Sequence, residues 1–317
     1  MAEILATRFN TLQQRISAIM SDATAGAPTT GYGQSLNSAA FYPIVGNYAI
    51  NAASTDIISA DQYESLYIDL VRARVHQVGT AGYTIEPFVV GDYNTNTTST
   101  DRVEELYISD LESLMTQIEA NKFLVHPTQL SVSSLTASTR TATWNTAVTH
   151  AFTVNFASET SRRNFFNAGG QIRFEPVLTY VGSESKTLDW QSLLSSIGSV
   201  IFAHTSTFST NGSGTGSTIG GNDNSLTASN QLIYRKYGTS YSSNNLAIYA
   251  RQNTVSQLQF TLIFSDSQVE NTDEVVRGTL SSVVNTGLPD GSVTLGGIGY
   301  TTVKSTAPTA TLVTAIT

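Results

Sequence analysis

Apolar residues recur with two different periods along this chain, and the change falls near Gln129. In the first twenty residues Leu5, Phe9, Leu12, Ile16 and Ile19 follow one another at alternating steps of four and three. That spacing puts them on one face of a helix and matches the seam of a two-heptad coiled coil. An amphipathic helix packed on its own domain has the same pattern, and two heptads do not separate the readings. The next stretch, SDATAGAPTTGYGQSLNS, has no period and reads as a linker. A second helix is expected from Ser59, spaced with Gln62 as a capping box, through Tyr63, Leu66, Leu70 and Ala73. These steps repeat those of Phe9, Leu12, Ile16 and Ile19, as a weak internal duplication would. A third helix aligns Val103, Tyr107, Leu111, Leu114 and Ile118, with Asp101 and Glu104 at the amino end favoured by the helix dipole.

Beyond Gln129 the period becomes two. HAFTVNFAS, GQIRFEPVLTYV, NLAIYARQ, SQLQFTLIFSD, EVVRGTLSSVV and GSVTLGG alternate and are rich in β-branched and aromatic residues, as strands are. LPDGSV, around Asp290 and Gly291, has hairpin composition. SETSRRNFFNA and LDWQSLLSSIGSVIF read as short helices within this part. The pair Phe165 and Phe166, followed by Gly169 and Gly170, reads as a structural joint. In that joint a strand leads to a short helix from Ser158, a glycine stop, and a second strand paired with the first. The alternative is that Arg162 and Arg163 are presented to an acidic partner. The expected fold is α+β: amphipathic helices, then an antiparallel β-sandwich or jelly-roll-like domain. The domains would be 1–35, an N-terminal helix and linker for oligomerisation or docking; 36–128, helical; and 129–317, the β-sandwich.

Composition narrows the function. Charged residues are only 13% of the chain and the net charge is −8, with no basic run interleaved with aromatics, so nucleic acid is not an expected partner. There is no cysteine, hence neither a disulfide framework nor a thiolate metal site. Charges and Gln interrupt the apolar residues of the amino terminus, so a soluble, cytoplasmically made chain without membrane insertion is expected. His76, His126, His150 and His204 lack partners at ligand spacing. The glycine-rich tract at 211–225 reads as a loop and has no Lys-Ser/Thr to hold phosphate. No Gly-x-Ser-x-Gly elbow joins a strand to a helix.

The densest acidic group, Asp266, Glu270, Asp273 and Glu274, reads as a solvated loop rather than as a carboxylate pair for glycoside hydrolysis or a calcium site. Glu175 lies alone on a predicted strand, and Asp223 lacks the alternate oxygens of a calcium loop. No catalytic residue, cofactor or metal is therefore expected.

FTVNFAS, RRNFFNAGGQIRF and the Trp190 helix, with FNTLQQRISAIM, GYGQS and YESLYIDLVRARVHQVGT nearer the amino terminus, carry a resemblance. In these pieces the chain resembles virion structural, tail-fibre-like proteins of contractile-tailed, T4-like phages of cyanobacteria. The resemblance implies a non-enzymatic protein of the phage tail, near baseplate or neck, whose partners are other virion proteins and copies of itself, a trimer being one form. Leu5, Phe9, Leu12, Ile16 and Ile19 would then be the contact seam. Two other readings stand beside it. One is a carbohydrate-binding or depolymerising tailspike-like adhesin, stacking Trp144, Trp190, Tyr237 and Tyr241 on a host-surface glycan; the other is a capsid decoration or cement protein.

Overall fold

A computed structural model describes residues 2–21, 31–38, 60–82, 105–211, 225–267 and 274–316. Ser59, Asp101, Val103, Glu104, Asp223, Glu270, Asp273, the linker at 22–30 and the glycine-rich tract from 212 to 224 lie outside the described residues, as do the side chains of Leu5, Gln62 and Tyr107. The chain forms two units, and the division does not follow the chain at residue 129. One comprises Met1–Ser131, Arg163–Ala168 and Pro289–Ser305; the other Val132–Arg162, Gly169–Leu288 and Thr306–Thr317.

The first unit is built on α1 (Ala2–Met20), α2 (Ala60–Val78) and α3 (Glu105–Ala120). Phe9, Leu12, Ile16 and Ile19 of α1, Tyr63, Leu66, Leu70 and Ala73 of α2, and Leu111, Leu114 and Ile118 of α3 are buried in one cluster. The described residues of the predicted helix faces are therefore the core. Arg8 Nε and Nη2 meet the Glu112 carboxylate at 2.7 and 2.8 Å, and Arg15 repeats the fork on Glu119 at 2.8 and 2.7 Å. Arg8 also donates to Ser109 and Arg15 to Thr116. Each of these positions recurs seven residues later and in the same direction, so α1 and α3 run parallel in heptad register. Half-exposed pairs of this kind contribute about 0.5–1 kcal/mol each. A single buried Leu or Phe contributes about 1.5–3 kcal/mol, so packing outweighs the ion pairs.

A buried polar knot completes this unit. The Asp69 carboxylate accepts from the Asn37 and Ser38 backbone N–H groups at 2.9 Å each, from the Ser38 hydroxyl at 2.8 Å and from Arg72 Nη1 at 2.9 Å. Arg72 spends its other donors on the carbonyls of Ser35 and Thr301. The carboxylate thus holds the 31–38 segment against α2, and its burial is matched by hydrogen bonds.

The second unit carries two antiparallel sheets. The strands are β1 (Leu130–Arg140), β2 (Ala147–Asn155), β3 (Gln171–Thr179), β4 (Val200–Phe202), β5 (Thr207–Ser209), β6 (Gln231–Tyr237), β7 (Asn245–Thr254), β8 (Gln257–Ser265), β9 (Thr279–Leu295), β10 (Ile298–Lys304) and β11 (Thr309–Thr314). One sheet has the order β1-β9-β3-β4-β5, with β10 also pairing β9; the other is β11-β2-β8-β7-β6. β10 and the end of β9 belong to the first unit. Alternation buries Leu258, Phe260, Leu262 and Phe264 along β8. Phenylalanines of this sheet meet those of the other: the Phe260 ring lies 5.3 Å from both Phe174 and Phe202, and Phe152 of β2 lies 6.3 Å from Phe174.

Two local expectations change. LPDGSV makes no hairpin: β9 runs through it, and the reversal falls at Gly296 and Gly297, with φ of 54° and 83°. Gly291 serves instead a close approach, since a Cβ there would meet Gln129 Oε1 at 1.8 Å. At the Phe-Phe joint, α4 (Glu159–Asn167) starts with Ser158 Oγ accepting from the Ser161 N–H at 3.0 Å, and Gly169 takes φ of 80°. The strand, helix and glycine stop stand, but β2 and β3 belong to different sheets and do not pair. Phe165 and Phe166 are both fully buried, edge to face at 5.0 Å.

Candidate functional site

Residues singled out in the sequence are mostly committed to the interior. Phe9, Leu12, Ile16 and Ile19 are covered by helices of the same chain, so the heptad seam already has a partner, α3. To join copies of the chain it would first have to be uncovered. Arg162 is buried and its Nε donates to the Val255 carbonyl at 2.9 Å, which removes it as a group displayed to an acidic partner; Arg163 is half-buried. Trp144 and Trp190 pack edge to face at 4.8 Å in the core, and Tyr241 is buried. Of the four aromatics considered for sugar stacking, Tyr237 alone is exposed.

His76 and His150 are tied into the fold. His76, on α2, bonds through Nε2 to the Ala168 carbonyl at 2.8 Å, and burial pushes its pKa down to about 4 against the smaller opposing effect of that bond. His150 Nδ1 meets the Ser282 hydroxyl at 2.8 Å, and burial likewise lowers it to about 4. Both are held neutral. Among the described residues, no three His, Asp or Glu side chains gather as a metal site.

Asp266 departs from the solvated-loop reading. It is buried, with Lys186 Nζ 2.8 Å from its Oδ2. Lys186 belongs to α5 (Ser185–Ile197), whose Asp189 accepts from the backbone N–H groups of Ser240 and Tyr241. Tyr241 in turn donates to Glu274 Oε1 at 3.4 Å. Sequence reasoning missed Lys186 and Asp189. The available signal was a lysine in the first turn of a helix, where the dipole favours acids.

A groove of about 680 Å³ runs between β3 and α5, lined among others by Glu175, Val177, Leu188, Gln191, Ser195 and Ser199. Glu175 is the one carboxylate among its described lining residues, and it accepts from Ser199 Oγ at 3.2 Å and Asn285 Nδ2 at 3.0 Å. Glycoside hydrolysis by the usual route needs two carboxylates flanking the bond, which this groove does not offer.

Open backbone remains at the sheet edges. β11 pairs β2 on one side, and no described strand pairs its other side; β1 ends the other sheet. β11, TATLVT, has no charged residue, and Leu312 and Val313 are 47% and 54% exposed. On β1 the exposed apolar residue is Val132, at 53%. The two edges are neighbours, since the Ile316 N–H donates to Ser138 Oγ at 3.0 Å. Edge strands of monomers ordinarily carry Lys, Pro or bulges that discourage pairing. Here a register shift at Val313 is the one such feature along β11. In comparisons with protein-family models, curated proteins and solved structures, none matches the chain.

Proposed function

We propose that this chain is a non-enzymatic structural protein of a phage tail, a tail-fibre or fibre-attachment component near baseplate or neck, working through assembly with other virion proteins and copies of itself. The β unit is read as a sandwich, of jelly-roll type, that presents its edges to neighbours. The observation that carries this reading is the pair of adjacent sheet edges, β1, whose one charged residue is the terminal Arg140, and β11, which has none, with Val132, Leu312 and Val313 exposed. Such an edge binds by accepting a further strand: main-chain hydrogen bonds supply affinity and the exposed side chains supply choice of partner. The resemblance to virion proteins points the same way. A tailspike-like adhesin is less well supported, because Trp144, Trp190 and Tyr241 are buried.

The test has two arms. Gold-labelled protein is located on particles by electron microscopy, and the mass of the full chain in solution is compared with that of Leu312→Lys by light scattering. Label on the tail and a smaller assembly for the variant are expected. Label on the capsid would replace the tail reading by the cement reading. A full chain that stays monomeric at high concentration, with the variant unchanged, would remove self-assembly through β11.

A further inference from the structure

The buried pair Lys186 and Asp266 has no part in an assembly edge. Their side chains are 5% and 0% exposed, and Nζ stands 2.8 Å from Oδ2. The contact is not aligned as a hydrogen bond, and neither Asp266 oxygen accepts one from any described group. Lys186 Nζ also reaches the Glu274 carbonyl at 3.3 Å, which holds the amine in place from a second direction. Trp190, one helical turn beyond Lys186, and Phe264, two residues before Asp266, are buried with ring centroids 6.4 Å apart. Water is therefore excluded by aromatic surface on the core side of the pair. With a carbonyl-length C–O bond, Nζ lies no more than about 4 Å from Cγ, close to the separation of reacting atoms poised for attack. An amine desolvated in this way is the usual form of a nucleophilic lysine.

We infer that Lys186 and Asp266 condense into an intramolecular isopeptide bond, a covalent staple between α5 and the end of β8. A proton passes from the ammonium to the carboxylate, leaving an amine and a carboxylic acid. The amine lone pair adds to Cγ. A proton then moves from nitrogen to the hydroxyl oxygen, the Cγ–O bond breaks, and water departs. The product is an Nζ–Cγ amide with one N–H. Atoms and charge balance with no oxidant and no co-reactant, and the bond forms once per chain. In a chain without cysteine, such a link is a cross-link that reducing conditions do not open.

Intact-mass measurement of the denatured full chain tests this directly. The expected mass is one water molecule below that of the sequence, and a tryptic digest should yield a branched peptide carrying both residues. Lys186→Met should keep its full sequence mass. Asp266→Asn should lose ammonia instead of water and converge on the mass of the cross-linked wild type, since the two amides are identical. Recovery of the wild-type chain at its full sequence mass, with Lys186 and Asp266 on separate linear peptides, overturns the proposal. The wild-type digest decides alone if either variant fails to fold.

Discussion

Asp69 shows how much one side chain can hold. It sits between Ile68 and Leu70 on α2, fully buried, and accepts from Asn37, Ser38 and Arg72. Removing one partner of a buried pair leaves the other charge uncompensated, at about 3–5 kcal/mol. Asp69→Ala is therefore expected to lower the unfolding free energy of the helical unit by about that amount in urea titration, and a loss under 1 kcal/mol would mean that Arg72 finds water instead. Gly79 illustrates a different constraint. Its φ is 74° at the end of α2, and a Cβ there would meet His126 Nδ1 at 2.7 Å. Gly79→Ala combines backbone strain with a clash, so a destabilisation of about 1–3 kcal/mol is expected in the same titration. Neither role carried a signal in the sequence beyond the residue type itself. By type Asp69 is an ordinary helix acid, and Gly79 follows a helix end, where glycine is common.

Among elements, the helices were the most legible. The spacing of Phe9, Leu12, Ile16 and Ile19 fits both a coiled-coil seam and a helix packed on its own domain, and the two meet here: the register is heptad, and the face is covered within the chain by α3. A double-mutant cycle on Arg15 and Glu119 should give a coupling of about 0.5–1 kcal/mol that shrinks in high salt, because the pair is partly exposed. Coupling near zero at low salt would mean that the ion pair does not persist in solution. The strands were legible where apolar alternation is strong, as in β8, and invisible where Ser and Thr take both faces, as in β1 and β11. LPDGSV misled because Gly291 answers to crowding from Gln129 and Thr302 rather than to a turn. The two neighbouring edge strands were thus the ones that periodicity could not find.

Across the whole molecule, acid should act on both units. His76 and His150 have folded pKa values of about 4 against the ordinary 6.5, so between these values the unfolded chain binds protons that the folded chain does not. Stability therefore falls as pH drops from about 6.5 towards 4, by about 3 kcal/mol per histidine at the lower end. Thermal denaturation followed by circular dichroism across that range should show the decline, and it should flatten in His150→Gln for the β unit. An unchanged melting temperature from pH 7 to 4.5 in the wild type would show that the two rings reach water before unfolding.

The kinds of element and the identity of most core positions were decided by local sequence, because periods of 3.6 and 2 follow from the geometry of single helices and strands. A period tells which side of an element is apolar and is silent on what covers it. The tertiary structure alone decided that α3 covers α1, that β2 and β3 enter different sheets, and that Lys186 meets Asp266 across eighty residues of chain. Pairs so distant are brought together by the packing of the whole unit, and no window of sequence contains both members.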